Sequence, residues 1–503
     1  MKRRDLLKAL GLLGTTLTVP TLIAKNGIIR RAEAKSFNIS DQALRNAQAI
    51  VAGEINFVRP TTLPTEINIF MYGGPSELAG NLTNIDEINT SSQNAYPNNL
   101  LDTVANGGQI TTNGFWQNAG GAAMERMLAS GDMSVYRTIN RVVDDSKAHR
   151  TSIFSAQTGG LDQFAPGVGT TLAAVFRTFM PDVYDPAVAA VAPIIPFASF
   201  EGDTVLFNTG DIDDLPLTLR SVSLDSNFDN PYRRLRTYQL QSDSNCMVGG
   251  ISVPCHNALD DLAERTTAAT GAQFKTLGDS FVKRRELDDF FSTSLGDPNA
   301  LIPIDNTDPL NPLPLVNFQG RFGDNLLAAC VLALENADTR YIALSTGGLG
   351  GWDDHDNAMA NNRYVSRMNQ LMNNIEQALI LLANGTTNSP GRSDVIINVY
   401  GEFGRNVNLN NSLGWDHGNN MNLYTFGGTT VPGRILGNVV GTTKVIGTPG
   451  QNRLFTSPAD GSVQYEPFSI ASTVYKHFGV SNPDVLTKDA VEAPAGFGPI
   501  ANA

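Results

Sequence analysis

The chain has 503 residues, 41% of them hydrophobic and 17% charged, enough to bury one large α/β core or to make two or three average domains. Its formal net charge is −13, and loss of the first 34 residues, with seven basic against two acidic side chains, takes the remainder to −18. That acidic balance argues against nucleic acid and anionic lipid as partners, since both need cationic patches, and three cysteines are too few for a disulfide framework.

The chain opens MKRRDLLKALGLLGTTLTVPTLIAKNGIIRRAEA, with a basic start, an apolar run from Ala9 to Ala24 and small residues at Ala32 to Ala34. This is the pattern of a signal peptide over residues 1–34. The apolar run is too short and too diluted by Gly, Thr and Pro for a spanning helix. Arg3 and Arg4, followed by Asp5, Leu6, Leu7 and Lys8, resemble the bacterial twin-arginine export signal, which carries folded proteins, often with metal loaded. The expectation is therefore an exported protein, periplasmic or secreted, and not membrane-spanning.

Residues 35–60 read as helical and peripheral. TEINIFMYGG, Thr65 to Gly74, is a short apolar strand ending in glycines, as a buried strand of an α/β sheet meets its loop. The stretch 161–325 is rich in Asp, Pro, Thr and Asn, with one long helical segment near Leu259 to Phe291, and reads as an insertion or cap between an N-terminal part of the core (35–160) and a C-terminal part (326–503). Within it, Cys246 and Cys255 bracket a hairpin-like segment and could pair in an oxidising compartment. Cys330, in LLAACVLALEN, reads as a buried core residue.

A second strand is RYIALSTGG, Arg340 to Gly348, and a third is SDVIINVYGEFG, Ser393 to Gly404. Between them, Tyr364 to Gly385 has apolar residues recurring at three and four and ends at a glycine, which predicts a helix. Strand, helix, strand at this spacing implies a mostly parallel central sheet flanked by helices. The fold class is α/β. EPFSIASTVYKHFGV looks like a final helix whose His477 packs or faces solvent.

The chemistry gathers after the strand ends, where open parallel sheets place ligands. GWDDHDN (Gly351 to Asn357) and GWDHGNN (Gly414 to Asn420) hold two of the three tryptophans and two of the five histidines. Asp353 and His355, two apart, share a face if the loop is extended. Asp416 and His417 are adjacent and point to different sides, awkward for one metal and natural between two. Mixed Asp, Glu and His donors suit Zn, Mn or Ca. An Asx-rich turn is the plain alternative for DDHDN, and Trp352 and Trp415 read as packing walls.

The order GGPS, a Ser and His phrase leading to TGG, GWDDH, GEFGR, GWDHG and FGGTTVPGRILG resembles the bacterial exported family called domain of unknown function 1501, from about Thr65 to the C-terminus. That family is grouped with the alkaline phosphatase and sulfatase superfamily, whose members hold one or two divalent metals at the end of a central sheet and cleave phosphate or sulfate esters. The resemblance implies an alkaline phosphatase-like core with an inserted cap. It also implies that the nucleophile position, nine residues before Thr158, is occupied by His149. His149 is then a nucleophile, a metal ligand or base, or a helix cap, with Ser146, Thr151 and Ser152 as nearby hydroxyls. The metal-binding Asp usual in the first loop is absent from GGPSELAGN, where Ser76 and Glu77 stand instead.

Two readings follow. The first is an exported metal-dependent hydrolase of a small anionic ester, with Asp353, His355, Glu402, Asp416 and His417 binding one or two divalent ions, His149 at the nucleophile position and Arg405 steadying the anion. The second is a non-catalytic exported metal-binding or assembly protein that keeps the fold, with an exported protein as partner.

Overall fold

A computed structural model describes most of residues 49–487; the longest stretches outside the description within that span are 97–108, 225–244 and 255–281. The signal-peptide reading, most of the helix near Leu259 to Phe291 and the Cys246 to Cys255 pairing fall outside the described residues. Strands Asn245–Val248 and Ile251–Pro254 do form an antiparallel pair.

Eight strands make the central sheet. In chain order they are β1 (Thr65–Met71), β2 (Met133–Asn140), β3 (Phe197–Ser199), β4 (Val222–Ser223), β5 (Tyr341–Ser345), β6 (Val395–Gly401), β7 (Asn420–Gly427) and β8 (Val439–Val440). Across the sheet they run β8-β2-β7-β6-β1-β5-β3-β4. β7 is antiparallel to β6 and to β2, while every other pairing is parallel. The helices used below are α1 (Gly121–Ala129), α2 (His149–Thr158), α3 (Val168–Phe179), α4 (Gly320–Glu335), α5 (Arg363–Asn384) and α6 (Phe468–His477). The stretch 161–325 supplies α3 and the edge strands β3 and β4, so part of it belongs to the core.

Period-two alternation along β1 divides the core. Ile67, Ile69 and Met71 pack with α1, α4 and α5, including buried Cys330, while Glu66, Asn68 and Phe70 face the other side. Helix α5 buries Met368, Leu371, Met372, Ile375, Ala378, Leu381 and Leu382, the three-and-four spacing read from the sequence. It joins β5 to β6 across the intervening β1. On the opposite face Glu66 would be a costly buried carboxylate; Asn398 Nδ2 donates to it at 3.0 Å, and His477 Nδ1 lies 2.5 Å away. His477 thus packs and is buried. Among the described residues no helix is long and apolar enough to cross a membrane.

The reversed β7 decides where the site falls. Parallel strands β1, β5, β6 and β2 end at one edge, and β7 begins there. Residues that follow four strands and residues that precede a fifth therefore meet at the same edge.

Candidate metal centre

The two GWD phrases are joined along their backbones. Trp415 N–H donates to Asp354 O at 2.7 Å, Asn357 N–H to Ser412 O at 2.8 Å and Ala358 N–H to Leu413 O at 3.0 Å. A side chain at Gly414 would strike the His355 backbone, its Cβ falling 2.2 Å from the carbonyl carbon, so glycine is required by close approach. Both tryptophans are fully buried and pack on the ring of Tyr364 from α5, with centroids 6.1 and 5.0 Å away. Their indole nitrogens donate to Thr346 Oγ1 (2.8 Å) and Tyr96 OH (2.7 Å). They are walls, as read from the sequence.

Behind the first phrase, Asp354 is buried against Arg367 of α5, whose guanidinium also lies 4.7 Å over the Trp352 ring. Gly73, at the end of β1, has φ +111° and touches the backbone of Trp352 and Asp353; a Cβ there would fall 2.4 Å from Asp353 N. The first loop, the second GWD phrase and α5 thus hold the segment of Asp353 and His355 from three sides.

Among the described residues, His149, Asp353, His355 and His417 form one group whose donor atoms all lie within 4.8 Å of one another. His355 Nε2 is 2.9 Å from His417 Nε2 and 3.2 Å from Asp353 Oδ1; His417 Nε2 is 3.6 Å from the same oxygen. His149 Nε2 is 3.5 Å from Asp353 Oδ2. Asp353 and His355 face one point, as expected of residues two apart in an extended loop.

The far nitrogen of each imidazole faces an acceptor. His149 Nδ1 meets Glu402 Oε1 at 2.5 Å, His417 Nδ1 meets Lys147 O at 2.7 Å, and His355 Nδ1 lies 3.4 Å from Asp416 Oδ1. A carboxylate or carbonyl can only accept, so the Nδ1 atoms of His149 and His417 carry the hydrogen and their Nε2 atoms present a lone pair inward, while His355 Nδ1 lies near Asp416 without a hydrogen bond. This is how metal-binding histidines are oriented by outer partners. Glu402 and Asp416 accordingly stand behind two histidines, outside the inner group.

Glu402 is fully buried and also accepts from Gly73 N–H at 2.9 Å. Burial pushes its carboxyl above the usual range, although the His149 contact pulls the other way. Arg141, at the end of β2, donates to Glu402 O (2.9 Å) and Ser155 Oγ (2.8 Å), tying α2 to the end of β6. His149 is the first residue of α2, and the cap before it is Ala148, which makes no side-chain bond; His149 is not the cap.

Arg405 does not face the cleft. Its side chain is wholly buried, and it donates to Gly73 O, to Gly74 O at 2.6 Å, to Trp415 O at 2.8 Å and to Asp353 Oδ1 at 2.5 Å. It braces the first loop against the two GWD phrases and positions Asp353. Partial burial raises the Asp353 carboxyl, but the Arg405 bond and the charges of Arg405, His355 and His149 outweigh it and the net shift is downward. Burial and the Arg405 charge bring His417 down to about 4, so this ring is neutral at pH 7.

Beside His149 opens a cleft of about 580 Å³ that the sequence reading missed, lined by Tyr72, Arg150, Phe154, Glu201 and Ser345 among others. It lies at the ends of β1, β5 and β3. Arg150 is exposed there, whereas Glu201 is pushed by burial up to about 7. The only signal for Arg150 was its place directly after His149; nothing in FASFEGDT marked Glu201.

No curated protein matches the chain significantly. Residues 303–451 match the family described as Protein of unknown function (DUF1501), a stretch that carries Asp353, His355, Glu402, Arg405, Asp416 and His417 but not His149, and that supports the resemblance read from the motifs.

Proposed function

We propose that the protein is an exported metal-dependent hydrolase of a small phosphate or sulfate ester, of alkaline phosphatase-like type. The observation that carries the metal reading is the convergence of three imidazole Nε2 atoms on the Asp353 carboxylate, with the Nδ1 atoms of His149 and His417 each hydrogen-bonded to an outer acceptor. The donor set fits: two nitrogens and an oxygen separated by 2.9, 3.2 and 3.6 Å compare with about 3.4 Å between ligands of a tetrahedral zinc bonded at about 2.0–2.1 Å. Asp353, His355 and His417 would hold the ion, with His149 completing the group.

A bound divalent ion supplies Lewis acidity, acidifying water and offsetting charge on an anionic ester. The chain's own residues do the rest. Glu402 orients the His149 ring through Nδ1 so that Nε2 faces the ion, and Arg405 keeps Asp353 ionised and fixed. Arg150 at the cleft offers two parallel donors to an anionic oxygen, the role the sequence reading gave to Arg405. The test is turnover of a panel of phosphate and sulfate esters by the zinc- or manganese-loaded protein. Activity absent from an Asp353→Ala, His417→Ala double variant supports the reading, and no difference between the two proteins sinks it.

The competing reading is a non-catalytic metal-binding or assembly protein. It is favoured by the imidazole at the position where the superfamily carries its nucleophile, and by the burial of Arg405.

A further inference from the structure

A second group of buried polar atoms lies on the other side of Arg405. Strand β7 turns Asn420, Asn422 and Tyr424 to one face, while Met421 and Leu423 pack in the opposite core. Asn420 Nδ2 donates to Arg137 O at 2.9 Å and to Thr456 Oγ1 at 3.0 Å; Asn422 Nδ2 donates to Glu77 O at 2.8 Å and to Tyr424 OH at 3.0 Å. The carbonyls Arg137 O and Glu77 O can only accept, which settles which end of each amide is nitrogen. Asn406 Nδ2 donates to Asn408 Oδ1 at 3.2 Å. The Oδ1 atoms of Asn406, Asn420 and Asn422 are buried and accept no hydrogen bond.

Into the same neighbourhood reaches Glu77, 1% exposed. Thr456 Oγ1 donates to its Oε1, and Arg405 N–H faces its Oε2 at 3.4 Å. It makes no salt bridge among the described residues, and burial pushes its carboxyl up to about 7. Native proteins pair their buried polar atoms, and a buried carboxylate without a cation is costlier still. Three orphaned amide oxygens beside an unpaired carboxylate are answered together by a hard cation, which takes six to eight oxygen ligands and draws on carboxylate, amide and hydroxyl oxygens alike. Among the described residues no histidine or cysteine joins this group to favour zinc.

We propose that Glu77, Asn406, Asn420, Asn422 and Thr456 form a histidine-free calcium site, distinct from the histidine group, that pins the first loop and the hairpin strand Phe455–Pro458 to β7. The site shares with the histidine group only the backbone of Arg405, whose N–H faces Glu77 while its guanidinium faces Asp353. Its role is to brace the loop, not to touch substrate.

The test uses the full chain after chelator treatment, melted with and without millimolar CaCl2, with bound calcium counted after dialysis. Calcium should raise the melting temperature by several degrees, more than MgCl2 does, at one calcium per chain. Glu77→Gln should lower calcium affinity at least tenfold, and Asn422→Ala, which removes one of the orphaned oxygens, should lower it too. The calcium response should persist in the His355→Ala, His417→Ala double variant, which separates this site from the histidine reading. No bound calcium in the parent chain, or a response lost with the histidines and untouched by both Glu77→Gln and Asn422→Ala, overturns the proposal.

Discussion

Replacing Glu402 by Gln isolates the outer support of the metal group. The carboxylate accepts from His149 Nδ1 and from Gly73 N–H through the same atom, Oε1, so an amide oxygen can keep both contacts while the charge is lost. A hydrogen bond to a charged group is worth about 1.5–3 kcal/mol against about 0.5–1.5 kcal/mol for a neutral one. The difference, about 1–1.5 kcal/mol, corresponds to roughly tenfold in affinity, the low end of the 10–100-fold cost of losing an outer partner of a metal-bound histidine. Zinc affinity measured by competition with a chromogenic chelator should therefore fall about tenfold in Glu402→Gln, with the melting temperature of the metal-free protein little changed. Unaltered affinity would refute the claim that Glu402 acts through His149 on a metal.

Other expectations follow from the same geometry. Arg367→Met leaves buried Asp354 with only the half-exposed Arg363, 3.9 Å away, and should cost up to about 3–5 kcal/mol, the loss of one member of a buried pair; urea unfolding should show that loss, partly restored by adding Asp354→Asn. Tyr364→Phe removes the hydroxyl that donates to Ser76 O at 2.6 Å and accepts from Ala79 N–H at 3.3 Å and should cost about 1–3 kcal/mol, whereas Tyr364→Ala also empties the space between the two tryptophans and should cost about 3–5 kcal/mol. Glu201 keeps its proton up to about 7 in the fold against an ordinary 4.5. The native state then binds more protons in that window, and stability falls as pH rises through it, by about 3 kcal/mol in all. Glu201→Gln should flatten that dependence in melts from pH 4.5 to 8, and an unchanged slope would count against the burial of this group.

The strands and helix that frame the site were legible because their signals are local. TEINIFM, RYIALS and SDVIINVYG are apolar runs ending at glycines, and α5 keeps its spacing over 22 residues. Strands β2 and β7 escaped notice because MSVYRTIN and NMNLYTFG carry polar residues on a face that is nonetheless buried, paired through their amides and hydroxyls with distant partners. Strands β3 and β4 are only three and two residues long, in a stretch whose composition suggested a cap.

Within the site, residue type and position after a strand brought the right side chains to one edge, but not their order of depth. Glu402 and Asp416 have the chemistry of ligands, yet each sits behind an imidazole, because the end of β6 and the loop before β7 carry these carboxylates while α2 and the loop after β5 carry the imidazoles in front of them. Arg405 has the chemistry of an anion clamp, yet the carbonyls of Gly73, Gly74 and Trp415 take its donors first. Spacing along a chain says which residues can meet; which of them reaches the inside depends on backbone contacts far apart in sequence.

The most direct test of the central claim is elemental analysis of the full chain after exposure to excess zinc or manganese and dialysis. The geometry predicts one transition-metal ion per chain, lost in the Asp353→Ala, His417→Ala double variant while any calcium is retained. A chain that holds no such ion, or holds it equally well without Asp353 and His417, would contradict the account.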